Sequence, residues 1–176
     1  MKDIVFKLCI FGDGGVGKTT MTERYVTGLF KEDTRMTIGS DFHIKTVDIN
    51  GKQVLLQIWD FAGEKQFRFL LPTYVRGASG GIFMYDLTRF SSLKNLDEWL
   101  EALLKGIDQE DPLPIILVGG KKDLEFKRAV SHGMAEMKMH EHNIEYNIEC
   151  SAKTGENVEE VFYTIAEIMM KKANLL

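Results

Sequence analysis

Apolar and polar positions along the chain follow two different periods, and the switching between them divides it into strands and helices. Apolar runs at 5–11, 54–59, 81–85 and 115–118 are too short for buried helices and read as buried or half-buried strands. A fifth run, 144–150, sets Ile144, Tyr146, Ile148 and Cys150 in alternation with Glu145, Asn147 and Glu149, which suits a sheet edge with one wet face. Asn50-Gly51 separates strand patterns over 42–49 and 53–59, so a tight hairpin and one antiparallel pair are expected. Helical spacing occupies 18–29, 67–76 with a break at Pro72, 92–106, 131–142 and 157–172. The last is the clearest: Val158, Val161, Phe162, Ile165, Ile168 and Met169 recur every three or four residues, opposite Glu159, Glu160 and Glu167. Strands alternating with helices from end to end predict an α/β fold: a mostly parallel six-stranded sheet with one antiparallel strand and five flanking helices.

Composition narrows the partners more than the fold. A chain of 176 residues with 44% hydrophobic positions suits one domain with a sizeable core. Its net charge of −4, with acids and bases interspersed, offers no basic stripe for nucleic acid or an anionic membrane. Cys9 and Cys150 fall in separate strand runs of a chain without a signal peptide or long apolar span, so core thiols in a reducing cytoplasm are expected. The final residues hold no cysteine for a lipid, so no membrane anchor is expected in this chain. A peripheral membrane location would require a lipidated tail beyond it. His43, His132, His140 and His142 lack metal-ligand spacing.

The chemistry concentrates where strands end. Gly12-Asp13-Gly14-Gly15-Val16-Gly17-Lys18-Thr19 follows the first strand and opens the first helix. Glycines there turn backbone N–H groups onto phosphate oxygens, a lysine reaches the β- and γ-phosphates, and a hydroxyl can hold Mg²⁺. The helix N-terminus adds a positive dipole. Gly14, Gly15, Val16, Gly17, Lys18, Thr19 and Thr20 are therefore candidate nucleotide contacts. The bland alternative, a glycine-rich turn with an incidental lysine, does not account for the full eight-residue match. Asp60-Phe61-Ala62-Gly63 ends another strand: Asp60 can hold Mg²⁺ through water, and the Gly63 N–H can approach a γ-phosphate. Thr37 lies in the segment before the hairpin, where its hydroxyl could reach Mg²⁺ if the loop closes, which makes it a switch candidate. After the fourth of the five runs comes Lys121-Lys122-Asp123, whose carboxylate matches the two donors on the Watson–Crick edge of guanine. Ser151-Ala152-Lys153 follows the fifth run and could offer a backbone N–H to the guanine carbonyl, with the stems of Lys121 and Lys153 packed on the base. Ligands of open parallel sheets bind beyond the carboxyl ends of the strands, so these loops should share one crevice.

With these motifs the chain resembles a Ras-superfamily small GTPase over nearly its whole length. Ile38-Gly39-Ser40-Asp41-Phe42, Leu56-Gln57-Ile58-Trp59-Asp60 and Tyr74-Val75-Arg76-Gly77-Ala78 are most similar to the Rab branch. The resemblance implies a P-loop small G domain over 1–176 that binds GTP and GDP with Mg²⁺ through Thr19, Thr37 and Asp60, hydrolyses GTP slowly, and switches effector-binding loops. It implies Phe30 against the guanine, and Phe42, Trp59 and Tyr74 as an apolar effector patch. A monomer acting with an exchange factor, a GTPase-activating protein and effectors is expected. Lys18, Thr37, Gly63 and Glu64 would form the catalytic group. Two departures bear on activity. Glu64 stands where the family has glutamine; a carboxylate accepts from water but adds charge beside an anionic transition state. That leaves open a nucleotide-bound interaction module with negligible hydrolysis. Gly120 replaces the asparagine of the N-K-x-D pattern, so leakier nucleotide binding is expected, with guanine preference kept by Asp123. None of these motifs supplies an arginine to act in cis.

Overall fold

A computed structural model describes residues 3–32 and 36–176. Six strands, β1 (Ile4–Phe11), β2 (Ser40–Ile49), β3 (Lys52–Phe61), β4 (Gly80–Asp86), β5 (Ile115–Gly120) and β6 (Asn147–Glu149), form one sheet in the order β2-β3-β1-β4-β5-β6. Among the described residues only the β2–β3 pair is antiparallel. Asn50 and Gly51, at φ 52° and 80°, make its turn, since both central positions of this hairpin type need positive φ.

Strand alternation sends side chains to two cores. Phe6, Leu8 and Ile10 of β1, with Ile82 and Met84 of β4, pack with α1 (Lys18–Thr27) and α6 (Val158–Lys172) through Met21, Phe162 and Ile165. Cys9, Phe11, Phe83 and Tyr85 face the opposite way, onto Leu93, Trp99, Leu103 and Ala135. All seven residues of β4 are buried, as a central strand covered on both faces requires.

Element boundaries depart from the sequence pattern in three places. The helix expected over 67–76 is a 3₁₀ segment, Lys65–Leu70, followed by the single-turn α2 (Leu71–Tyr74), so the break precedes Pro72. Pro72 sits in the first turn, where its missing N–H costs nothing. The helix expected over 92–106 is split at Asn95 into α3 (Phe90–Lys94) and α4 (Leu96–Leu104). There the Asn95 amide donates to Asp13 Oδ2 at 2.7 Å instead of facing solvent. The edge strand keeps its place but shortens, because the chain leaves α5 (His132–His142) by burying Ile144 under that helix.

Candidate functional site

The loop after β1 approaches the sheet more closely than any side chain would allow. Gly12 has φ +141°, and a Cβ there would lie 2.2 Å from the Met84 carbonyl oxygen. The loop then feeds α1 through Gly17 in a left-handed conformation, which turns the helix N-terminus to the crevice. Lys18 is buried and its ammonium donates to the carbonyls of Gly12 and Asp13, both at 2.8 Å. Burial pushes its pKa down to about 8 against the pull of Asp60, Glu64 and Asp13.

Gly14, Gly15, Gly17, Lys18, Thr19, Thr20, Met36, Thr37, Gly63 and Glu64 line a cavity of about 320 Å³. A Cβ on Gly63 would stand 2.2 Å from the Gly14 nitrogen, so only glycine lets the loop after β3 meet the phosphate loop. Glu64 reaches the same place: its Oε1 lies 3.1 Å from where a Gly14 side chain would begin, and its Oε2 is buried without a partner among the described residues.

Three oxygens gather at the floor. Thr19 Oγ1 donates to Asp60 Oδ2 and lies 2.9 Å from Thr37 Oγ1. Asp60 is fully buried, its Oδ1 has no partner among the described residues, and burial raises its pKa against the Thr19 bond and Lys18. A buried, unpartnered carboxylate oxygen beside two hydroxyls is a hard-oxygen donor set that fits Mg²⁺.

A second cavity of about 390 Å³ shares Gly15, Gly17 and Thr20 with the first and continues past Val16, Phe30, Met84, Lys121, Asp123, Ala152 and Lys153. The fold thus brings the sequence-chosen residues of four loops into one continuous crevice. Ser151 stands behind it: its hydroxyl donates to Asp123 Oδ1 at 2.8 Å and accepts from the Thr154 N–H at 3.1 Å, which fixes the carboxylate's direction. At Gly120 the space for a side chain is occupied. A Cβ there would be 2.5 Å from the Met84 methyl and 3.1 Å from the Val16 carbonyl oxygen.

The sequence reading passed over the fifth strand end, after β4. Asp86, 1% exposed, takes Lys121 Nζ at 2.8 Å, Arg89 Nε at 3.4 Å and the Thr88 hydroxyl at 2.6 Å. Burial alone would raise its pKa, but the bonds from Lys121 and Thr88 hold it below the ordinary carboxylate value. Arg89 Nη2 donates to the Gly14 carbonyl at 2.8 Å. Asp13 also proves to be an anchor, accepting from Trp99 Nε1 at 2.8 Å as well as from Asn95. The rule that ligands gather at strand ends could have pointed to Asp86 and Arg89, which follow a strand as directly as Asp60 and Asp123 do.

Phe42, Trp59 and Tyr74 form a row of touching rings across the β2–β3 surface, with centroids 5.0 and 6.1 Å apart. Ile38 and Phe69, each 75% exposed, add further apolar surface. No helix among the described residues is long and apolar enough to cross a membrane.

The geometry can be set beside known proteins. Residues 7–171 match the model of the Ras family. The chain is 41% identical over 170 residues to the Ras-related protein SEC4 of Saccharomyces cerevisiae, covering 97% of this chain and 77% of that protein. It is 40% identical to the Ras-related protein Rab-10 of Diplobatis ommata, over 97% and 84% of the two chains. Against the Ras-related protein Rab-13 of Bos taurus the identity is 38%, over 97% and 83%. The glycine-rich loop after β1, the buried strand-end carboxylate of Asp60 and the cavity at Asp123 lie together, and the chain belongs to the Ras family as a Rab-like small GTPase.

Proposed function

We propose that this chain binds GTP and GDP with Mg²⁺, hydrolyses GTP slowly, and uses the nucleotide state to reshape the surface around Phe42, Trp59 and Tyr74 for effectors in membrane traffic. The observation that carries the reading is the continuity of the two cavities, which share Gly15, Gly17 and Thr20 and so join the glycine-rich loop with Lys18 and Thr19 to the carboxylate of Asp123. The P-loop amides and Lys18 would hold the β- and γ-phosphates, Phe30 and the stems of Lys121 and Lys153 would flank the base, and Asp123 would accept from its Watson–Crick edge, with the Ala152 region facing the carbonyl. Thr19, Thr37 and Asp60 would hold Mg²⁺, which supplies neutralising charge at the phosphates. The Gly63 N–H would read the γ-phosphate. Glu64 would accept from the attacking water, orienting its oxygen towards the γ-phosphorus. As that bond forms, the bridging P–O bond breaks, its electron pair leaves with GDP, and the water's two protons leave with inorganic phosphate, which gives one up to solvent.

A second reading is favoured by the position of the Glu64 carboxylate within the phosphate cavity, where its charge opposes a γ-phosphate. The chain would then hold nucleotide as an interaction module without turnover. Glu64→Gln separates the two: the enzyme reading expects hydrolysis to fall, and the module reading expects it to emerge from a negligible background. Competition between GDP and ADP for a fluorescent guanine nucleotide tests the base. Displacement by ADP as effective as by GDP would sink the role given to Asp123.

A further inference from the structure

A second cation stands at the phosphate loop besides Lys18. Arg89 lies in the connection between β4 and α3 and reaches back to Gly14, where its Nη2 donates to the carbonyl. The same nitrogen is 3.9 Å from where a side chain on Gly15 would begin, and Gly14 and Gly15 both line the phosphate cavity. Asp86, buried, faces Arg89 Nε at 3.4 Å and is itself tied to Lys121, so the guanidinium is held at its base by an anchored carboxylate. Its Nη1 has no protein partner among the described residues, and the side chain remains 44% exposed. A planar guanidinium with a donor to spare at the rim of an anion cavity suits phosphate oxygens.

Gly14 is therefore flanked by opposite charges: Glu64 on one side and Arg89 at the carbonyl. The glycine has no side chain to keep them apart. We propose that Arg89 is a built-in arginine of this GTPase, which donates to the transferring phosphoryl group and offsets the negative charge that Glu64 brings to the same place. In the hydrolysis step described above, negative charge builds on the oxygen that bridges the β- and γ-phosphorus atoms as its bond to the γ-phosphorus breaks. The guanidinium stabilises that charge with no covalent change of its own. The inference rests on the proposed GTP hydrolysis and adds a catalytic residue to it.

The test compares the unaltered chain with Arg89→Ala, Arg89→Lys, Glu64→Gln and the pair Arg89→Ala/Glu64→Gln in single-turnover GTP hydrolysis, affinity for GDP, and capture of aluminium fluoride by the GDP complex. Arginines supplied to this class of site accelerate it by about 10³–10⁵-fold, so a loss of at least about a hundredfold is expected in Arg89→Ala. Affinity for GDP should stay within about threefold, because the interaction belongs to the transition state. Arg89→Lys, which keeps the charge and the fold but not the fork, should recover only part of the rate, and Arg89→Ala should fail to capture aluminium fluoride. In the Glu64→Gln background, where there is less negative charge to offset, Arg89→Ala should cost a smaller factor in rate than it does in the unaltered chain. A rate for Arg89→Ala and Arg89→Lys within about threefold of the unaltered chain overturns the proposal, as does an equal loss of rate and GDP affinity, the mark of a structural latch. Tight GTP binding by the unaltered chain with no hydrolysis overturns both this inference and the turnover reading, whereas an unaffected Arg89→Ala overturns the inference alone.

Discussion

Met84 and Gly120 form a pair whose coupling can be measured. Restoring the family's amide with Gly120→Asn puts a Cβ 2.5 Å from the Met84 methyl, nearly an ångström inside the 3.4 Å of ordinary contact, and 3.1 Å from the Val16 carbonyl oxygen. The methyl is the free end of a flexible chain, but Met84 is 2% exposed and its tip also rests 3.6 Å from the position of a Gly17 side chain, so it has little room to swing. Overpacking of this kind costs about 1–3 kcal/mol, and the lower half of that range applies to a movable tip. The recovered amide returns about 0.5–1.5 kcal/mol if it finds a partner. Gly120→Asn alone should therefore bring no gain in GDP affinity. Gly120→Asn with Met84→Ala should bind GDP about 2–12-fold more tightly than Gly120→Asn, because the amide's contribution of about 0.5–1.5 kcal/mol is recovered only once the Met84 methyl is out of its place. Met84→Ala alone should destabilise by about 2–5 kcal/mol through the void it leaves. Displacement of a fluorescent GDP analogue measures the affinities, and urea unfolding of each variant measures the stabilities. Gly120→Asn binding GDP as tightly as the double variant would refute the reasoning, because Met84 would then not hold that space.

Asp13→Ala strands the buried Trp99 N–H and frees Asn95, so it should lower stability by about 1.5–3 kcal/mol in urea unfolding; a loss under about 0.5 kcal/mol would mean the anchor contributes nothing. Burial pushes Cys9 up to about 11 and Cys150 to about 12, so neither should react with a thiol reagent at about pH 8 until the protein unfolds, and rapid native labelling would contradict that. Asp86 has a folded pKa below its unfolded value, so its contribution is present above about pH 4 and fades as pH falls through the folded pKa. The stability gap between the unaltered chain and Asp86→Asn, followed by unfolding at several pH values, should narrow on acidification, and a gap that widens would reverse the assigned sign.

What the sequence revealed follows from the range of the interactions. The hairpin at Asn50-Gly51 and the cradle from Gly12 to Thr19 are legible because residues within a turn dictate them. The convergence of Asp60, Asp123 and Ala152 on one crevice is legible because sheet topology carries strand ends to one edge. The split of the third helical region was not, because it depends on Asn95 meeting Asp13, 82 residues away. Nor was the meaning of Gly120, since the pattern records a missing amide and not the Met84 methyl filling its place. Arg89 carried no motif, and only the folding of β4 beside β1 brings its guanidinium to Gly14.

Single-turnover release of phosphate from bound GTP with Mg²⁺, beside a Lys18→Ala control, tests the central claim most directly. The account predicts measurable release by the unaltered chain, lost in the control; tight GTP binding with no release above that control would contradict it and leave a nucleotide-bound interaction module.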